Sequence, residues 1–243
     1  MFVVPATNNM LPKSNLSRTL PFLLIVLGVL LADTSIAHTI SGSNATYVKG
    51  IDGPAIAPFM YLGAKHMVTG IDHLLFLAGV VFFLYKTRDI ILYVSLFTLG
   101  HSITLLSGVL LDLQVNASLI DAVIAFSIVY KAFENLGGFS HLPFQPDTRI
   151  AVLIFGLFHG LGLATKLQEF SITENGLLTN ILSFNLGVEI GQIIALVFIL
   201  GALRIWRQQD TFSAMALSTN TLLMCAGFIL AGYQITAFMA ITQ

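Results

Sequence analysis

The sequence predicts an all-α integral membrane protein, with six transmembrane helices following a cleavable N-terminal signal peptide. Three observations lead there. Of 243 residues, 56% are hydrophobic and 9% charged, with a mean hydropathy of +0.88, whereas an average soluble domain carries about 25% charged residues. The apolar residues come in long runs, unlike the strands of an outer-membrane barrel, which alternate at every second residue. The formal net charge of −1 offers no basic footprint, so nucleic acid is excluded as a partner. The single cysteine, Cys225, excludes an internal disulfide framework and any cysteine-rich metal site.

Residues 1–37 have the layout of a secretory signal. Lys13 and Arg18 sit in an acid-free start, the apolar run 21–32 follows, and Ser35 and Ala37 provide the small-x-small cleavage pattern. That run is too short for a comfortable anchor, since a spanning helix needs about 20 apolar residues. Cleavage after Ala37 leaves His38 at a free N-terminus outside the membrane, heading a short extracytoplasmic segment over 38–55.

Six apolar segments then fill residues 56–243, at approximately 56–85, 90–111, 117–133, 150–165, 179–203 and 214–240. With the N-terminus outside, the loops after the first, third and fifth spans are cytoplasmic. These loops hold Lys86, Arg88, Lys131, Arg149, Arg204 and Arg207, while the outer stretches hold only Lys49 and Lys166. The signal and the positive-inside rule therefore give the same orientation, in an inner or plasma membrane. Gly156 and Gly160 in span four fit either a broken helix that exposes backbone or close helix packing. An inverted repeat of spans one to three and four to six suits the count, although no convincing internal match stands out.

Polar residues inside these runs carry the functional argument. Span one contains His66, Asp72 and His73, and each ionisable group at mid-bilayer costs about 2.5–3.5 kcal/mol. On an unbroken helix His66 and His73 lie two turns apart, roughly 10 Å along the axis. Either Gly70 breaks the helix and draws them together, or they are successive stations on a path. His101 lies in span two, Asp121 and Tyr130 in span three, His159 in span four, and Asn185, Glu189 and Gln192 share one face of span five. Imidazoles with carboxylates and no usable thiol suit Ni²⁺, Co²⁺, Zn²⁺, Cu²⁺ or Mn²⁺. A free N-terminal His38 can chelate Cu²⁺ or Ni²⁺, though the position after a cleavage site is arbitrary. Simpler readings exist for several others. Asp121 can cap span three, Glu134 and His141 can be solvated in a cytoplasmic loop, and Asn185 can join two helices. Asn44-Ala-Thr46 and Asn116-Ala-Ser118 are glycosylation sequons in form only.

His66-x5-Asp72-His73, GHSIT at 100–104, FGLFHGLGLA at 155–164 and the Phe184–Gln192 segment together resemble the HupE/UreJ family of membrane proteins. The likeness covers nearly the whole mature chain in the same motif order. It implies a secondary nickel or cobalt permease, associated with hydrogenase or urease maturation, that is not an enzyme and uses no catalytic cofactor. Metal-related positions of the family match His66, Asp72 and His73 in span one and His159 in span four. Span four departs from the family's better-known form, which has a second histidine and a glutamate shortly after; Glu189 of span five is the candidate replacement. No GxxxxGK[ST] nucleotide loop occurs, in agreement with an ATP-free mechanism.

The expected path starts with capture by His66 and His38, passes to Asp72 and His73, and is completed by His101, His159 and Glu189 near the midplane. Release follows as one half-bundle rocks against the other. Ligation needs neutral imidazole and ionised carboxylate, so binding should fall as pH drops through the histidine range. A membrane potential of 100 mV favours inward movement of a divalent cation by roughly 4.6 kcal/mol. Two other classes compete: a membrane-embedded metalloenzyme, and a metal-transfer or assembly subunit for a hydrogenase- or urease-type metalloenzyme. A homo-oligomer in the lipid bilayer is compatible with all three.

Overall fold

The computed structural model describes residues 51–143, 145–168 and 174–241; the proposed signal peptide and His38 lie outside the described residues. Seven α-helices follow in order: α1 (Ile56–Thr69), α2 (Ile71–Val81), α3 (Thr87–Leu110), α4 (Ala117–Asn135), α5 (Thr148–Gln168), α6 (Leu177–Arg207) and α7 (Thr211–Ile241). A 3₁₀ turn, Gly138–His141, precedes α5. Four helices, α3, α5, α6 and α7, are long and apolar enough to cross a membrane by length and composition. Their outward side chains are apolar as well: Val197, Phe198, Leu217 and Ile229 each expose more than half of their surface. Helices that are hydrophobic all round belong in a bilayer, and the protein is a membrane protein.

The first expected span is two helices rather than one. Gly70 lies between α1 and α2 with ψ at 104°, which no helical residue adopts, and serves as C-cap of the first and N-cap of the second. A Cβ there would lie 2.9 Å from the His66 carbonyl oxygen and 3.1 Å from His73 Nδ1, so glycine is needed for space. The chain beyond α2 is anchored by Arg207, whose guanidinium donates to the carbonyls of Val81, Phe82 and Leu84. That bonding satisfies carbonyls that the end of a short helix leaves without partners.

Packing joins α1 to α6, α3 to α5 and α4 to α7, with α2 set against α4, α6 and α7. Directions follow from which residues meet. Asn180 caps the start of α1 through Ala55 N–H, at 2.7 Å, and Gly191 lies against Ala64, so α1 and α6 run parallel. Phe97 meets Gly156 and Gly108 meets Ala164, so α3 and α5 are parallel too. Thr98 bonds Gln192 and Ser102 bonds Asn185, which makes α3 antiparallel to α6. Gly176, at φ 79°, turns the chain into α6, and a Cβ on it would strike Pro54. Span four's glycines serve packing. Helix α5 is continuous, and Gly156 and Gly160 take the backbone of Phe97 and His101 against them.

Several charged residues that the sequence placed in connecting loops or near span ends are tied into the fold. Lys131 is buried on α4 and pairs with Glu134 at 2.8 Å, while Thr148 donates to the same carboxylate. Glu134 is therefore a structural link between α4 and α5, not a solvated loop residue. Asn116, read as part of a sequon, accepts from Leu119 N–H as the cap of α4. Asp121 is buried and pairs with Lys166 of α5 at 2.9 Å, which is more than an interfacial cap. Removing one partner leaves an uncompensated charge, so Lys166→Ala should cost about 3–5 kcal/mol of stability. Chemical or thermal unfolding in micelles measures this, and an Asp121→Asn/Lys166→Gln double change should recover much of the loss; equal loss in both would refute the pairing argument.

Candidate functional site

The break at Gly70 is what assembles the site. It turns the chain so that His66, in the last turn of α1, and His73, in the first turn of α2, have ring centroids 5.0 Å apart. Of the two sequence-based alternatives for this pair, the structure has the broken helix. His159 of α5 approaches His73 to 4.8 Å and His101 of α3 to 6.1 Å, all edge to face. Three imidazoles from three further helices thus gather around His73 of α2.

Two of the rings are held from behind. Asp72 Oδ1 accepts from the His73 backbone N–H at 2.9 Å and lies 3.1 Å from His73 Nδ1. His159 Nδ1 lies 2.8 Å from the Phe155 carbonyl oxygen, which can only accept, so this nitrogen carries the proton. In both rings Nε2 is left buried without a hydrogen-bond partner, while Nδ1 has the kind of outer partner that orients metal-ligating histidines. Asp72 also sits in the first turn of α2, where the helix dipole favours negative charge.

The surroundings are dry and aromatic. Phe97 and Phe76 flank His159 at 5.0 and 5.2 Å, and Phe184 lies 6.3 Å from His66. Within this shell His73 Nε2, His159 Nε2 and both nitrogens of His101 are buried without a hydrogen-bond partner. An unsatisfied buried polar atom costs about 1–3 kcal/mol, and four of them in one cluster is an arrangement that a cation or proton relieves. Among the described residues, however, no three His, Cys, Asp or Glu side chains are arranged to hold one metal ion. The rings meet as a cluster and not as a formed coordination sphere.

Glu189 lies elsewhere. It accepts from Asn185 at 3.4 Å and lines a groove between α3 and α6 with Thr98, Ser102 and Gln192. Thr98 donates to Gln192 at 2.6 Å and Ser102 to Asn185 at 3.1 Å, so the polar face of α6 meets hydroxyls of α3. Asn185 has the helix-joining role that its simpler reading gave it. Thr98 and Ser102 are the functional candidates that sequence reasoning passed over. A lone hydroxyl in an apolar run bonds its own backbone cheaply and gives no signal by itself.

The family model described as HupE / UreJ protein matches residues 42–242. No curated protein and no solved structure matches the chain. The matched region contains α1 to α7 and with them every histidine of the cluster, and the chain belongs to the HupE/UreJ family.

Proposed function

We infer that this protein is a secondary transporter of a divalent transition metal, nickel or cobalt, taken up without nucleotide hydrolysis. The single observation that carries the reading is the four-histidine cluster around His73, in which His73, His101 and His159 are buried and have unpartnered imidazole nitrogens in an aromatic shell. Two imidazoles that share one tetrahedral ion at 2.0–2.1 Å from each nitrogen have ring centroids about 5 Å apart. His66 and His159 stand from His73 at that spacing, which supports a shared ion between them. His66, Asp72, His73, His101 and His159 are the proposed residues, with Asp72 orienting His73. Glu189 contributes from the neighbouring groove, and His38, if freed by signal cleavage, captures metal outside.

Six crossings suit the reading, with α1 and α2 together making the first and α4 the third. Lys131, Arg149, Arg204 and Arg207 lie at one end of the bundle, where α4, α5 and α6 meet the exit of α2. The positive-inside rule makes that end cytoplasmic.

The test is accumulation of radioactive nickel in sealed cells that express the full chain, against empty vector, with cobalt as competitor. Uptake above the vector level that cobalt suppresses is expected. Vector-level uptake by protein that nonetheless retains bound metal through purification would overturn the permease reading and favour the enzyme or assembly subunit.

A further inference from the structure

The two glycine-rich helix contacts are copies of each other. Gly63 of α1 meets the Phe184 carbonyl of α6, and Gly156 of α5 meets the Phe97 carbonyl of α3, each so closely that no Cβ fits between. In return Gly187 meets the Met60 carbonyl and Gly100 the Leu153 carbonyl. Met60 and Gly63 are three apart, as are Leu153 and Gly156; Phe184 and Gly187 are three apart, as are Phe97 and Gly100. One turn further on, Gly191 lies against the Ala64 carbonyl, and at the matching place Thr104 donates to the Leu157 carbonyl at 2.6 Å.

This correspondence aligns sequences that show little likeness by eye. Gly63-x-x-His66 matches Gly156-x-x-His159, and Phe97-x-Leu99-Gly100 matches Phe184-x-Leu186-Gly187. The polar residues follow the same register: Thr98 corresponds to Asn185, and Ser102 to Glu189. Because α1 is parallel to α6, α3 to α5, and α3 antiparallel to α6, span one runs opposite to span four. The relation is an inverted one, of the kind on which alternating-access carriers are built. It exchanges the pair α1 and α6 with the pair α3 and α5. His66 and His159 become equivalent, and His73 stands between them at 5.0 and 4.8 Å.

We propose that the chain is an inverted repeat whose moving bodies are these two glycine-locked helix pairs. The hydrogen bonds Thr98–Gln192 and Ser102–Asn185 form the latch between them. Within a pair, backbone lies on backbone and sliding has no room. Between the pairs lie side-chain contacts, namely hydrogen bonds, the imidazoles and apolar side chains such as Leu105 and Ile181, which can exchange partners as the pairs rock. What the motion accomplishes rests on the transport reading; the division into two bodies does not.

The test uses the full chain with Cys225, its only cysteine, changed to serine. Ser102→Cys/Asn185→Cys, bridged by a short bis-methanethiosulfonate, should fall about tenfold or more below the nickel uptake of the same variant unbridged and return to that level on reduction. Spin labels give a second readout that needs no transport. Tyr61→Cys/Leu182→Cys and Ile103→Cys/Ile154→Cys, each within one pair and at exposed positions, should keep unchanged distances in nanodiscs with or without Zn²⁺, a diamagnetic divalent probe. Ile103→Cys/Leu182→Cys, between pairs, should shift or split. Distances within a pair that change as much as those between, an inter-pair distance that never changes, or a bridged protein that transports at the unbridged rate would each overturn the proposal. A wild type that moves no nickel while the labels behave as expected would count against the transport reading alone.

Discussion

His73→Ala is expected to lower nickel uptake about 100-fold or more, and Asp72→Asn about 10-fold, because loss of an outer-shell partner costs about 10–100-fold. The ranking follows from position. His73 is in ring contact with His66, His101 and His159, so its removal leaves the other three without a common neighbour. Asp72 acts through the His73 ring, holding Nδ1 and leaving Nε2 without a hydrogen-bond partner. His101→Ala should fall between the two, since its ring lies furthest from His73 but has both nitrogens without hydrogen-bond partners. Initial uptake rates at matched membrane levels decide the order. His73→Ala with wild-type uptake would remove the cluster from the path, whatever the family.

Gly63→Ala and Gly156→Ala are expected to destabilise the fold by about 3 kcal/mol or more, the upper end of the usual cost of overpacking. The new methyl meets a backbone carbonyl on the facing helix, Phe184 in one case and Phe97 in the other, and neither can swing aside as a side chain would. The two helices must separate, and their core, with Phe59, Leu62 and Phe184 at one contact, loses its packing. Gly201→Ala and Gly232→Ala are the controls. Nothing lies within 4 Å of a Cβ at either place, so removal of a helical glycine should be neutral or stabilising by up to about 1 kcal/mol. Unfolding midpoints of all four variants in the same micelles make the comparison. Equal effects at contact and control sites would show that the close crossings carry no special weight.

The helical membrane class was legible in composition and run length alone, and so were most helix positions. Residues 90–111 became α3, 150–165 lie within α5, and 179–203 lie within α6. The first span was legible as apolar but not as broken. Glycine in a helical run is tolerated at a cost of about 1 kcal/mol, so the run alone shows no break, and what decides at Gly70 is the crowding of His66, Asp72 and His73 around it. Four of the seven candidate metal residues, His66, His73, His101 and His159, come together in one cluster. Asp72 supports them from behind, Glu189 lies in the adjoining groove, and His38 lies outside the described residues.

Buried charge was the least legible feature. Lys131 and Glu134 looked like loop residues because spans were bounded by hydropathy, and a charge normally marks a boundary. In the fold they neutralise each other, and a paired charge can remain where a lone one would be expelled. Asp121 with Lys166 repeats the lesson across two helices.

By itself, then, the sequence determined that this chain is helical, that it belongs in a membrane, and which few polar residues have to be explained there. Those are properties of local hydrophobicity, and solvent acts on them residue by residue. Which imidazoles meet, where the first span breaks, and that Gly63 answers Gly156 were decided only by the tertiary structure. Each depends on two backbones arriving at one place from distant parts of the chain, and no single segment carries that information.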